Sequence, residues 1–147
     1  MNLPHRPPAA PSFRVSFVRP YEESVRLRVA AAITRAGGDV GEVFREPLDL
    51  SAIERYLRGR GYSDEFVIPY HATGTVTGVD LVERFHALAR PRRVLMPVKI
   101  ASATLVESAL RERVGDEGLG RVLIVSVSDL DARVPAMRAH FALSASS

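Results

Sequence analysis

The chain has 147 residues, of which 46% are hydrophobic, with no cysteine and a formal net charge of +3 at pH 7. This length is typical of one domain that buries its own core, and the lack of cysteine excludes disulfides and thiolate metal sites. The longest apolar runs, residues 94–98 and 122–125, are too short to cross a bilayer, and residues 1–12 lack the apolar centre of a secretory signal. We therefore expect a cytoplasmic protein that makes no membrane contact.

The two ends of the chain are predicted to be flexible tails. Residues 1–11 are rich in proline, which fits neither a regular helix nor a central strand. Residues 143–147 are small and polar. Residues 12–142 are expected to form a single α/β domain.

Between the tails, strand-like and helical patterns alternate. Five apolar runs predict strands at residues 13–18, 40–44, 65–70, 93–98 and 121–126. Five stretches with helical spacing predict helices at residues 21–36, 49–60, 79–89, 102–114 and 130–141. Asp49 or Ser51 can cap the second helix, and Thr77 or Gly78 lies near the cap of the third. The residues expected to point inward from the fourth helix are Leu105, Val106, Ala109 and Leu110.

The order of these elements predicts the fold. Short connections between alternating strands and helices favour a parallel sheet with helices on both faces. The last three strands are almost continuously apolar, as strands buried on both faces should be. The length suits a flavodoxin-like, doubly wound domain of five strands in the order 2-1-3-4-5.

Four segments in this order resemble a response-regulator receiver domain. They are EESVRLRVAAAITRAGGDV, TGVDLVERF, VLMPVKIASATLVESAL and LIVSVSDLDARV, and the resemblance spans residues 13–141. The family uses two acids after strand one to hold Mg²⁺ and an aspartate after strand three to accept a phosphoryl group. A Ser or Thr after strand four and a Lys after strand five complete its site.

Every one of these functional positions is substituted here. The resemblance places them on Pro20 and Tyr21, Tyr70, Val98 and Ser126. Mg²⁺ needs hard oxygen ligands, which proline and tyrosine do not supply at neutral pH. We therefore expect no catalytic residue, metal or cofactor, and we expect Tyr70 to pack into or over the emptied acid pocket.

Three cations could surround that pocket. Arg19, His71 and Lys99 all follow predicted strands, and together they would favour a small anionic ligand or a partner carboxylate. The simpler alternative is that a tyrosine fills the space, His71 faces solvent and Lys99 lies on the ordinary surface.

The function predicted from the resemblance is a pseudo-receiver, a phosphorylation-independent interaction or assembly module in signalling. In receivers, the face formed by helix four, strand five and helix five commonly carries dimerisation or partner docking. The charged residues predicted on this face are Glu107, Arg111, Arg113, Asp129, Asp131, Arg133 and Arg138. A protein partner or a homodimer is expected, and an enzyme is not.

Two other classes of function are less well supported. The stretch SFVRPYEES can be laid over the first strand and loop of TIR-like domains that cleave NAD, with Glu83 as the candidate acid, but the expected sequence around that glutamate is absent. The basic residues are scattered among Asp and Glu, so nucleic-acid binding is unlikely.

Overall fold

A computed structural model describes residues 13–71, 76–87, 93–99 and 101–145. The strands are β1 (Arg14–Val18), β2 (Asp39–Phe44), β3 (Asp64–Val67), β4 (Val94–Val98) and β5 (Val122–Ser126). The helices are α1 (Glu23–Arg35), α2 (Leu50–Gly59), α3 (Gly78–His86), α4 (Ala103–Leu119) and α5 (Val134–Ala145). The predicted tail at residues 1–11 lies outside the described residues. Within the described ranges, no helix is long and apolar enough to cross a membrane.

The five strands form one parallel sheet in the order β2-β1-β3-β4-β5, as predicted. Alternate residues of β1 point to opposite faces. Val15 and Phe17 pack into the core beneath α1 and α5, whereas Val18 joins the core formed with α2, α3 and α4. Helices therefore cover both faces of the sheet, and the predicted doubly wound fold is confirmed.

Local signals set several helix ends. The carboxylate of Asp49 accepts a hydrogen bond from the Ala52 amide at 3.1 Å, so Asp49 rather than Ser51 caps α2. Thr77 caps α3 through a reciprocal capping box with Asp80. In α4, Gly115 has φ +71°, which interrupts the helix immediately after its predicted end at residue 114.

Three sequence-based expectations are wrong. Leu105 does not point inward from α4, since 59% of it is exposed, whereas Val106 and Leu110 on the adjacent face are fully buried. The last helix is preceded by two 3₁₀ turns, Val127–Asp129 and Asp131–Arg133, instead of beginning at residue 130. It also continues to Ala145, into the predicted tail, because the chain has no glycine or proline there to stop it.

A buried polar cluster at the amino end of the sheet was not predicted. Asp64 is fully buried at the start of β3. Its carboxylate accepts hydrogen bonds from the Ser16 hydroxyl at 2.6 Å, the Tyr56 hydroxyl at 2.8 Å and Arg60 Nε at 2.6 Å, and Arg14 Nε lies 3.7 Å away. These contacts join β1, α2 and β3, and they compensate for burial of the charge.

Candidate functional site

The substituted receiver positions meet at the carboxyl end of the sheet, where ligands of this fold class bind. Arg19, Pro20 and Tyr21 follow β1, and Tyr70 and His71 come shortly after β3. Val98 and Ser126 are the last residues of β4 and β5. The fold therefore brings these positions to one edge.

Tyr21 occupies the centre of this edge. Its hydroxyl donates a hydrogen bond to the carbonyl of Tyr70 and lies 3.3 Å from the carbonyl of Pro97. Its ring centroid lies 4.6 Å from that of His71 and 5.3 Å from Lys99 Nζ. Burial, reinforced by the charge of Glu22, raises the pKa of Tyr21 to about 12.

The packing of Tyr70 into or over the acid pocket stays a prediction. Tyr70 is half-buried, and its side chain packs against the core beneath α2, α3 and α4. The hydroxyl that reaches the carbonyls of Tyr70, after β3, and of Pro97, in β4, belongs to Tyr21, which lies in the segment between β1 and α1.

Arg19 is held in an unusual backbone conformation. Its φ is +48°, which is uncommon for a residue with a side chain. The conformation is fixed by a hydrogen bond of 2.7 Å from its amide to the Phe44 carbonyl and by a 3.1 Å contact between its own carbonyl and Nε2 of His71. Its Nη1 donates to the Val76 carbonyl and lies 3.4 Å from Glu46. The side chain is only 11% exposed.

The three predicted cleft cations do not surround one open pocket. Lys99 Nζ pairs with the Glu22 carboxylate at 3.0 Å above the Tyr21 ring, whereas the guanidinium of Arg19 lies against Val76 and Glu46. His71 is half-buried rather than solvent-exposed, and that burial lowers its pKa. Tyr21 and its neighbours thus occupy the edge where the resemblance places the acid pocket.

This donor set does not fit the Mg²⁺ ion of receivers. The Tyr21 hydroxyl is committed to backbone carbonyls, and the nearby Glu22 is paired with Lys99. The positive charges of Lys99, above the Tyr21 ring, and of the more distant Arg19 would oppose a metal ion. Among the described residues, no group of three or more His, Cys, Asp or Glu side chains could hold a metal.

The two remaining receiver positions also lack the family's chemistry. Val98 is 4% exposed and packs within the core beneath α3 and α4, and it has no hydroxyl. The Ser126 hydroxyl lies 2.8 Å from that of Ser128. Neither side chain can make the contacts that a phosphoryl group receives from the family's Ser/Thr and Lys.

The predicted interaction face divides into two groups. Four of its residues contact their own chain: Arg111 pairs with Asp116, Arg113 with Asp80 and Glu83, and Asp131 with Arg35, while Arg138 donates to the Arg35 and Ala36 carbonyls. The other three, Glu107, Asp129 and Arg133, line one groove of about 540 Å³ beside β5. This second group therefore shares one concave surface.

Glu83, the acid of the NAD-cleaving alternative, lies on the exposed side of α3. Its carboxylate pairs with Arg113 at 3.1 Å. It does not line the groove beside β5 or the two cavities between α2 and α3 that the described residues form.

No protein family profile matches the sequence, and no curated protein matches it. Solved structures do resemble the fold. An orphan response regulator of H. pylori matches with a TM-score of 0.58 and 15% identity over 89% of this chain and 98% of that chain. The response regulator domain of Thermotoga maritima CheB gives 0.57 and 15% over 92% and 97%.

A third structure is described as an atypical orphan response regulator with a phosphorylation-independent regulatory mechanism. It matches with a TM-score of 0.53 and 14% identity over 86% of this chain and 96% of that chain. Identities this low establish the fold and not the activity. The protein has the fold of a response-regulator receiver domain.

Proposed function

We propose that this protein is a phosphorylation-independent, receiver-like module that acts by binding a protein partner, a second copy of the chain included. The observation that carries the proposal is the position of Tyr21. Its hydroxyl bonds the carbonyl of Tyr70 at the edge where receivers hold Mg²⁺ and the phosphoryl group. The predicted acceptor position is Tyr70 and not an aspartate, so the aspartyl phosphorylation of receivers has no acceptor there.

The Lys99–Glu22 pair supports a single resident conformation. It links the segment after β4 to the residue preceding α1 at 3.0 Å, across the ring of Tyr21. A switch requires a ligand with different contacts in two states. With the acid pocket closed by the protein's own side chains, the module is expected to bind its partner constitutively.

The groove beside β5 is the proposed docking surface. β5 is an edge strand, and its Val122, Leu123 and Ile124 side chains are only partly buried. Glu107 and Arg133 add opposite charges to the groove. An apolar floor with charges of both signs suits a protein partner, because apolar area supplies affinity and the charges supply orientation.

Two of the structural neighbours agree with this proposal in their descriptions. Both are orphan response regulators, and one is described as having a phosphorylation-independent regulatory mechanism. We extend that property to this chain because its acceptor position is Tyr70 and its metal positions are Pro20 and Tyr21.

Two measurements on the full chain test the proposal. Incubation with acetyl phosphate and Mg²⁺ should leave the intact mass unchanged, and a labile phosphoryl adduct would refute phosphorylation independence. Self-association and partner capture should weaken in Arg133→Glu but not in Arg55→Glu, an exposed arginine on α2 away from the groove. Equal effects of both substitutions would refute the assignment of the docking surface.

The absence of enzymatic activity is part of the same proposal. Millimolar NAD should survive incubation with the purified protein. Consumption of NAD that is abolished by Glu83→Ala would replace the interaction module with a TIR-like hydrolase.

A further inference from the structure

Two neighbouring cavities lie between α2 and α3, and no residue of β5 lines either of them. One has a volume of about 290 Å³ and is lined by Arg19, Glu46, Leu81 and Arg84, among others. The other has about 230 Å³ and is lined by Ile53, Glu54 and Phe85. Leu50 and Arg84 line both. Each is smaller than a typical ligand site of about 300–1,000 Å³, and only the two together reach that range.

The smaller cavity is apolar at its base. Ile53 is 2% exposed and Phe85 is 3% exposed, so both present packed side chains rather than mobile ones. Its acid, Glu54, is already paired with Arg58 at 3.1 Å along α2. The smaller cavity therefore suits a hydrocarbon chain or ring.

The larger cavity carries an excess of positive charge. Its single acid, Glu46, makes one long contact of 3.4 Å with Arg19. Arg84 is exposed and pairs with no carboxylate among the described residues. Arg19 Nε and Nη2 are buried without hydrogen-bond partners in the described part of the chain. One added negative charge would balance this lining.

We propose that this pair of cavities binds a small organic carboxylate, with the carboxylate at Arg84 in the larger cavity and the apolar body over Ile53 and Phe85 in the smaller one. Arg84 stands where the two cavities meet, so a guanidinium is available at the point where a head group would join its chain. The site is separate from the β5 groove, and it does not depend on the protein-binding function.

The proposed anion site differs from the one predicted from the sequence, which lay between Arg19, His71 and Lys99. The guanidinium of Arg19 contacts Val76 and Glu46 instead of facing Lys99. The ligand would therefore touch Arg19, the residue that follows β1, from the side of α2.

Octanoate, kept below its micelle concentration, is the probe, with titration calorimetry and amide chemical shifts of the full chain as readouts. We expect saturable binding, shifts at Leu50, Ile53 and Leu81, and weakening of about tenfold in Arg84→Gln. Arg55→Gln is the matched control and should bind like the wild type. From butanoate to octanoate, affinity should rise by about fourfold for each methylene that enters the apolar cavity.

Several outcomes would overturn the proposal. They are an absence of saturable binding, equal affinity for octan-1-ol and octanoate, an Arg84→Gln affinity equal to that of the wild type, or shifts confined to the β5 groove. Loss of partner binding in Arg133→Glu is a separate result, so failure of this proposal and failure of the docking surface remain distinguishable.

Discussion

Replacing Tyr21 with phenylalanine tests how the former acid pocket is closed. The substitution keeps the ring beside His71 and Lys99 and removes only the hydroxyl that reaches the backbone carbonyls of Tyr70 and Pro97. We expect the free energy of unfolding to fall by about 1–2 kcal/mol.

The magnitude follows from the two carbonyls that the hydroxyl reaches. The carbonyl of Pro97 keeps a second donor, the Tyr70 amide at 3.0 Å. The carbonyl of Tyr70 has no other donor among the described residues. One acceptor is thus left unsatisfied, which costs about 1–3 kcal/mol, and partial burial places the loss toward the lower end of that range.

Urea denaturation followed by circular dichroism measures the change, and the midpoint of thermal unfolding should fall by about 3–8 °C. The matched control is Tyr70→Phe, because the Tyr70 hydroxyl has no hydrogen-bond partner among the described residues. That control should stay within about 0.5 kcal/mol of the wild type.

The same substitution has a pH signature. Burial raises the pKa of Tyr21 from 10.0 to about 12. The folded state therefore holds the proton more tightly than the unfolded state, so this stabilisation is complete below pH 10 and is lost as the pH rises toward 12. The difference in the free energy of unfolding between the wild type and Tyr21→Phe should therefore shrink between pH 10 and pH 12. A free-energy difference near zero at pH 7, or one that grows above pH 10, would refute the role given to the hydroxyl.

Three further stability predictions concern other parts of the fold. Burial lowers the pKa of His140 from 6.5 to about 4. The free energy of unfolding should therefore decrease as the pH falls from 6.5 toward 4. If the free energy of unfolding of His140→Gln depended on pH as steeply as that of the wild type, another group would be responsible. Asp64→Ala leaves three donors without their buried carboxylate and should cost about 3–5 kcal/mol by urea denaturation, whereas a loss below about 1 kcal/mol would contradict the buried network. In Gly78→Ala the new Cβ would lie 2.4 Å from the Pro69 carbonyl oxygen, so calorimetry should show that the free energy of unfolding falls by about 1–3 kcal/mol. The control is Gly59→Ala, whose Cβ would meet nothing within 4 Å and which should not lower stability.

The order and type of the elements could be predicted from the sequence because burial leaves a local pattern. The apolar runs at β4 and β5 are strand-sized, and the spacing of Val25, Val29 and Ile33 marks the buried side of α1. Alternation of the two patterns then leaves few topologies with short, right-handed connections. The fold class and the strand order followed from these local features alone.

Contacts between distant residues could not be predicted in this way. Tyr21 and Tyr70 are 49 positions apart, and their contact depends on how the segment between β1 and α1 meets the segment after β3. Ser16 and Asp64 are 48 positions apart, and the resulting buried cluster has no sequence signature. Leu105 fits the helical period of α4, yet it lies at the margin of the apolar stripe and remains exposed.

The sequence alone therefore predicted a five-stranded α/β domain, and the resemblance to receivers predicted that every position of their site is substituted. The tertiary structure decided what replaced the site: a tyrosine bonded to two strand ends, a Lys99–Glu22 pair across its ring, and an arginine turned toward α2. Periodic burial is a property of neighbouring residues. A side chain's partner across the sheet is instead set by strand pairing and helix placement, which no short stretch of sequence contains.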